Sequence, residues 1–358
     1  MKKKYKSTYF IFFTFESIFE KNSSGGFSLS IKDTVNNLKN KAEKIYLINN
    51  HTNNEEYKFI EYINFLNFIK FLFSNLFCGS NKDIKFILFG CGLSSHYIFS
   101  IIALVFRLKL YWQPSYHSPK YVGNNMKSSI AKRLIRFISY LPFRKLRIIV
   151  QTHYESSELK VKKDVEFYGL TIQFKNTYLK SQLINRDENS FNKRKITLSY
   201  IGRLNKQKGW DIFSEFIIKN NIKEKIVIVT NSKFNKEAYR LKKIINNIEI
   251  FNSIRNHHLL NILKNTKILF LPSNFESLGI THIDAVLMGC FVPMIGRYPF
   301  WDDLSIDKNE EIKLLNFIIQ NNSCNNKINQ NNYNKLRKIY LENLPDQFEK
   351  TLKEIIQS

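Results

Sequence analysis

Carboxylates are scarce in this chain, and over one long stretch they are missing. Asp and Glu number 30 against 55 Lys and Arg, a formal charge of +25. From Ile101 to Val150 there is no acid at all, while Arg107, Lys109, Lys120, Lys127, Lys132, Arg133, Arg136, Arg144, Lys145 and Arg147 are all basic. A composition biased toward Asn, Lys and Ile raises Lys everywhere, but does not empty consecutive positions of acid, so an anionic partner is expected at that face. Cysteine is equally sparse. Cys78, Cys91, Cys290 and Cys324 form no C-x-x-C pair and have no His at metal spacing, which argues against a disulfide framework and a structural zinc and suits a reducing compartment. No apolar run is long enough to span a bilayer, since the longest, Ile98 to Phe106, stops at Arg107. The N-terminus imitates a signal peptide, yet Glu16 interrupts it and no small-x-small site follows; Tyr9 to Phe15 is therefore read as a strand.

What is present is globular. With 358 residues, 44% hydrophobic and 15% aromatic, the chain can build two cores. The pattern alternates strand and helix, which predicts an α/β fold. The first strand leads into Gly25-Gly26, a helical stretch and the strand Lys44 to Ile48. A helix is predicted from about Glu56 to Phe77, then the strand Ile84 to Phe89 and a helix over Ser94 to Phe106. The turn Gly90-Cys91-Gly92 resembles a dinucleotide fingerprint but lacks its third Gly or Ala and the acid about 20 residues on, so NAD is rejected. The strand Leu108 to Trp112 ends in a Pro- and Asn-rich loop holding His117, either an incidental loop histidine or a ligand contact at a strand exit. Lys127 to Tyr140 is an amphipathic helix, Ile148 to Thr152 a strand, and "VEFYGL" near Val165 the last strand of the first domain. The aperiodic stretch Ile184 to Lys195 is read as the linker, Asn321 to Asn332 as an Asn-rich loop, and Asn334 to Ile356 as a terminal amphipathic helix.

Two stretches of the second half carry chemistry. In Phe270 to Gly296 a buried strand meets Pro272, a helix starts near Gly279, and Gly289 stops it before a second strand. The helix start offers the backbone N–H groups of Gly279, Ile280 and Thr281 to an anion, beside Glu276 and Asp284. The bland alternative is a helix-dipole complement at Asp284 and a solvated loop charge at Glu276. Upstream, the strand Ile196 to Ile201 runs into Gly202-Arg203 and then Lys208-Gly209, a strand-to-helix crossing with two cations at its mouth. Such a mouth suits a diphosphate leaving group, whose charge grows as a glycosidic bond breaks.

"PSNFESLGITHIDAVLMGC" resembles the Glu-x7-Glu motif of the retaining GT-B glycosyltransferases of family four, the "group 1" class, and Gly-Arg-Leu-x-x-x-Lys-Gly resembles that family's phosphate motif. The resemblance implies two Rossmann-like domains facing a cleft, with the C-terminal helix returning to the first: residues 1–188 for the acceptor, 189–335 for the nucleotide sugar, and 336–358 the terminal helix. It implies Glu276 at the donor sugar with His117 contacting the transferred sugar, Arg203 and Lys208 on the diphosphate with Gly279, Ile280 and Thr281, Asp284 at the ribose, and Gly25 and Gly26 near the donor phosphates. Asp at the ribose position, one methylene shorter than Glu, departs from the pattern, as does Pro293, displaced from its usual place.

The expected reaction moves a hexose-like sugar with retention from a nucleotide-diphosphate donor, a co-substrate, with no other cofactor. No Asp-x-Asp occurs, so no metal is expected. The basic residues (Arg107, Lys109, Lys127, Lys132, Arg133, Arg136, Arg144, Lys145 and Arg147) point to an anionic membrane surface and a lipid-linked glycan acceptor at the cytoplasmic face, hence surface polysaccharide or lipopolysaccharide assembly. Two rivals stay open. Net charge invites nucleic acid, but no zinc-finger, ribonucleoprotein or helix-turn-helix signature accompanies it, so none is expected as partner. A GT-B epimerase or phosphorylase would share the donor site.

Overall fold

The computed structural model describes residues 8–13, 35–36, 38–39, 43–48, 59–77, 83–90, 94–114, 125–143, 145–150, 152–160, 166–168, 191–230, 235–252, 254, 256–276, 278–303, 312–321 and 327–338. The chain divides into two compact units, Met1–Gln173 with Asp346–Ser358, and Phe174–Pro345. The boundary expected at 188/189 and the terminal helix beyond Lys338 lie outside the described residues.

The first unit is built on seven parallel strands, β1 (Thr8–Phe13), β2 (Lys44–Ile48), β3 (Ile60–Ile63), β4 (Asp83–Phe89), β5 (Lys109–Gln113), β6 (Lys145–Ile149) and β7 (Glu166–Tyr168), in the order β3-β2-β1-β4-β5-β6-β7. Central strands read as near-continuous apolar runs because a parallel sheet is covered on both faces; β4 is buried at six of its seven positions. The helices α1 (Phe65–Phe77), α2 (Ser94–Val105) and α3 (Asn125–Ser139) pack on one face, where Phe68, Leu72, Phe99, Ala103, Ile135 and Ile138 share a core with Phe86, Leu110, Trp112 and Ile148. The short helix α4 (His153–Leu159) follows β6 and is capped by the Thr152 hydroxyl, which accepts from the Glu155 amide. One expectation is corrected. The helix predicted from Glu56 begins only at Phe65, because Ile60-Glu61-Tyr62-Ile63 pairs with β2 as the edge strand. Alternation of large apolar residues there favours the pleat over the helix.

The second unit has four parallel strands, β8 (Ile196–Ile201), β9 (Ile226–Thr230), β10 (Ile248–Asn252) and β11 (Thr266–Leu269), in the order β10-β9-β8-β11. Where a second strand is expected after Gly289, an isolated parallel bridge joins Phe291 to Ile268, with no strand formed. Helices α5 (Trp210–Asn220), α6 (Lys236–Ile244), α7 (Asn256–Lys264), α8 (Ile280–Leu287), α9 (Pro299–Asp303), α10 (Ile312–Asn321) and α11 (Lys327–Lys338) complete it. Residues 327–332, expected as part of the Asn-rich loop, instead belong to a helix that runs on to Lys338 and packs on α8. Its Asn332 and Leu336 are buried one turn apart, so packing outweighs the poor helix propensity of Asn.

Candidate active site

Parallel α/β sheets bind ligands outside the carboxyl ends of their strands, and in the second unit the two chemical stretches meet there. Near the end of β8, Tyr200 reaches under the turn that follows; its hydroxyl donates to Arg203 O at 2.7 Å and lies 3.3 Å from Lys208 O. Asn205 closes a 3-10 turn over Lys206–Lys208, its side-chain oxygen accepting from the Lys208 amide at 3.0 Å. Gly209 then adopts φ 66°, and a Cβ there would fall 1.9 Å from Pro272 O. Only glycine allows both that backbone conformation and that approach, so Gly209 sets the Lys208 turn directly against the loop after β11.

That loop is tied back at every step. The Asn274 amide donates to Gln207 O at 2.9 Å and its side chain to Lys206 O at 3.0 Å. On the other side, the Glu276 amide donates to Arg297 O, and the Arg297 amide to Asn274 O, each at 3.0 Å. The result is an ion pair between Lys208 Nζ and Glu276 Oε1, with both side chains mostly buried. Burial works against ionisation of Glu276, but Lys208, His282 and Ser273 together outweigh it and hold the carboxyl below its ordinary range.

Helix α8 starts at Gly279, also at φ 66°, with no side-chain cap. Its first amides are therefore available to an anion. Around Gly279 close Trp301, His282 and Tyr298; a Cβ would meet their rings at 3.3 to 3.5 Å. His282 is fully buried, with Nε2 3.0 Å from Leu271 O and 3.1 Å from the Tyr298 hydroxyl. A carbonyl can only accept, so Nε2 carries the proton and donates to Leu271 O. Burial lowers the His282 pKa to about 4, keeping the ring neutral. His282, Tyr298 and Trp301 escaped the sequence reading, since the only signal for them was a histidine on the apolar side of a helix. Asp284 lies on α8, half-buried, where burial alone pushes its carboxyl up to about 7.

Lys208, Glu276, Gly279, Ile280 and Thr281 thus fall on two adjoining turns, and Asp284 follows within α8. Arg203 is exposed and donates to Gln207 Oε1 at 3.1 Å, beside the pair but not part of it. Gly25, Gly26, His117 and Arg144 lie outside the described residues, as does the Lys127 side chain. The basic positions of the first unit do not form one outward surface. Lys109 turns in to Asp83 at 2.5 Å, Lys132 pairs with Glu158 at 2.8 Å, and Arg136 donates to Leu159 O at 3.2 Å. Lys145 and Arg147 belong to β6, whereas Arg107 and Arg133 are exposed. A cavity of about 390 Å3 on the second unit is lined by Lys195, Lys225, Phe251, His258, Asn261 and Asn265; Lys195 and Lys225 precede β8 and β9, so it opens at the edge away from Glu276. Among the described residues, no three His, Cys, Asp or Glu side chains are grouped to hold a metal ion, and no helix is long and apolar enough to cross a membrane.

The fold belongs to the GT-B class. Residues 181–296 match the family described as glycosyl transferases group 1. No curated protein sequence matches the chain. Among solved structures, Anabaena HepE in complex with UDP and glucose is similar at 12% identity and TM-score 0.66, over 98% of this chain and 100% of that one. WaaG, a glycosyltransferase involved in lipopolysaccharide biosynthesis, is similar at 11% identity and TM-score 0.58, over 97% and 99%. An α-glucosyltransferase in complex with UDP-glucose and DNA containing an abasic site is similar at 13% identity and TM-score 0.58, over 98% and 99%.

Proposed function

We propose that the protein is a retaining glycosyltransferase of the family-four type, which moves a hexose-like sugar from a nucleotide-diphosphate donor to a hydroxyl of a lipid-linked glycan at the cytoplasmic face of a membrane. The carrying observation is the Lys208–Glu276 ion pair beside the uncapped start of α8, inside the segment that matches the group 1 glycosyl transferases. Lys208 and the amides of Gly279, Ile280 and Thr281 meet the diphosphate, with Arg203 at the outer edge. Negative charge grows on that group as the bond to the sugar breaks, and preorganised donors favour this state over the ground state. Glu276 orients the sugar hydroxyls, Asp284 accepts from the ribose, and the acceptor hydroxyl attacks on the side the diphosphate leaves. The family resemblance also assigns Gly25, Gly26 and His117 to the donor. Lys208 and the helix amides take the place of a cation, so chelators leave turnover unchanged.

Complexes of similar folds with UDP, glucose and UDP-glucose support the donor class. The likeness to WaaG supports surface-glycan assembly. The test is a thermal-shift panel of UDP, GDP, dTDP and ADP, then donor hydrolysis with the best base and the anomeric configuration of the product by NMR. An inverted product removes retention; a Glu276→Gln variant with wild-type turnover removes Glu276 from the site. A second reading, that the acceptor is nucleic acid, is favoured by the charge of +25 and by the similarity to a glucosyltransferase in complex with DNA. A salt-sensitive mobility shift on duplex DNA, with sugar transferred to it, would select that reading.

A further inference from the structure

We infer that the outer face of α1, α2 and α3 enters the headgroup layer of an anionic lipid bilayer. This rests on the membrane-borne acceptor proposed above, and moves the contact from the basic positions of residues 101–150 to an apolar surface spread over three helices. The three helices lie on the same sheet face, because their inward residues share one core. Their opposite sides therefore point outward together. Each displays an apolar pair seven residues, or two turns, apart: Leu66 and Phe73 on α1, Ile98 and Val105 on α2, Ile130 and Phe137 on α3. Exposure is 71% at Leu66, 67% at Val105 and 59% at Phe137. The rings of Phe73 and Phe106, 5.1 Å apart, join α1 to α2, so these are not isolated surface residues.

An apolar patch of this extent marks an interaction site, and charge names the occupant. No Asp or Glu occurs anywhere between Asp83 and Glu155, and none lies on α1. The exposed cations Lys70, Arg107 and Arg133 are interspersed with the apolar residues. Apolar side chains set among cations, on three helices that carry no carboxylate of their own, match an interface of acyl chains beneath anionic headgroups. A second copy fits less well, because a two-fold would bring the same cations face to face.

The test is sedimentation with phosphatidylglycerol or phosphatidylcholine vesicles, comparing the wild-type chain with a Phe73→Ser/Val105→Ser/Phe137→Ser variant. All three positions are outward, so folding and hydrolysis of the soluble donor should persist. The wild type should sediment with phosphatidylglycerol, weakened but not abolished by salt, and the variant should bind at least about tenfold more weakly. Wild-type protein left in the supernatant, a variant that binds as well, or self-association through Phe137 without vesicle binding would each overturn the inference. Hydrolysis separates the two conclusions. A wild type that hydrolyses donor but ignores vesicles loses the surface and keeps the transferase; one that binds vesicles but transfers no sugar does the reverse.

Discussion

Each unit buries a lysine against a carboxylate, and the two pairs sit at opposite ends of their sheets. In the first unit Asp83, the opening residue of β4, takes Lys109 at 2.5 Å and Lys85 at 3.4 Å, with Lys85 fully buried. In the second unit Lys208 and Glu276 come after the carboxyl ends of β8 and β11. Burial is comparable: the side chains of Asp83 and Lys109 are 16% and 11% exposed, those of Glu276 and Lys208 13% and 19%. Surroundings differ. The first pair lies among strand starts, whereas the second adjoins the uncapped start of α8 and two glycines held at positive φ. Burial of an ion pair alone therefore says little about function, and its place relative to strand ends and free amides says more.

The sharpest break in that comparison comes from removing each carboxylate charge. Glu276→Gln should lower donor turnover on the order of a hundredfold, as loss of one preorganised group at a developing charge does. Asp83→Asn should leave turnover unchanged but cost about 3 kcal/mol of stability, since it strands Lys85 without its carboxylate. Denaturant melts and initial rates on both variants check this. Next is Lys208→Met. Lys208 contributes most among the groups that hold the Glu276 carboxyl below its ordinary range against the opposing effect of burial. Without the ammonium the acid limb of the rate profile should move to higher pH, on top of a loss of about tenfold from the missing diphosphate contact. An unmoved acid limb would mean that Lys208 does not govern Glu276.

The same logic reverses sign in the first unit. Burial lowers the Lys85 pKa to about 8, with Asp83 opposing and Lys109 adding to the fall. A base whose folded pKa is depressed carries its full penalty below that value and is relieved as pH rises toward the unfolded value. Lys85→Met should thus stabilise the fold by about 1 kcal/mol at pH 7, an apolar chain of similar length replacing a buried charge while Lys109 still serves Asp83. The gain should fade above pH 8, read as melting temperature across pH.

Much of this was legible in the sequence, for physical reasons. Gly202-Arg203, Lys208-Gly209 and the stretch from Pro272 to Gly289 announce turns and helix ends because backbone conformation there depends on local chemistry. The strand at Ile60–Ile63 was not, since an apolar run through Phe77 fits a helix until its pairing with β2 is known. Nor was the enclosure of Gly279: His282 acts through the Leu271 carbonyl, eleven residues away, and Tyr298 and Trp301 arrive from beyond the helix. The basic residues of 101–150 were legible as an excess of charge, but tertiary contacts decide which cations face outward, and Lys109 and Lys132 do not.

Asp284 gives the smallest and most specific effect, because it is the acid on α8 that no cation balances in lowering its pKa. Burial alone raises its carboxyl to about 7. An acid whose folded pKa is raised contributes stability below the unfolded value, and that contribution is lost as pH rises through the folded one. Asp284→Asn should therefore match the wild type near pH 4 and overtake it by pH 8, by about 1 kcal/mol once partial exposure is allowed for. Ribose hydroxyls donate, so the ionised carboxylate is the form that should bind them better. In calorimetric titrations, wild-type affinity for the preferred nucleoside diphosphate should then climb through pH 7, while that of the Asn variant stays flat. A climb of equal size in both would place the titrating group elsewhere, and would leave the shorter Asp out of the ribose contact.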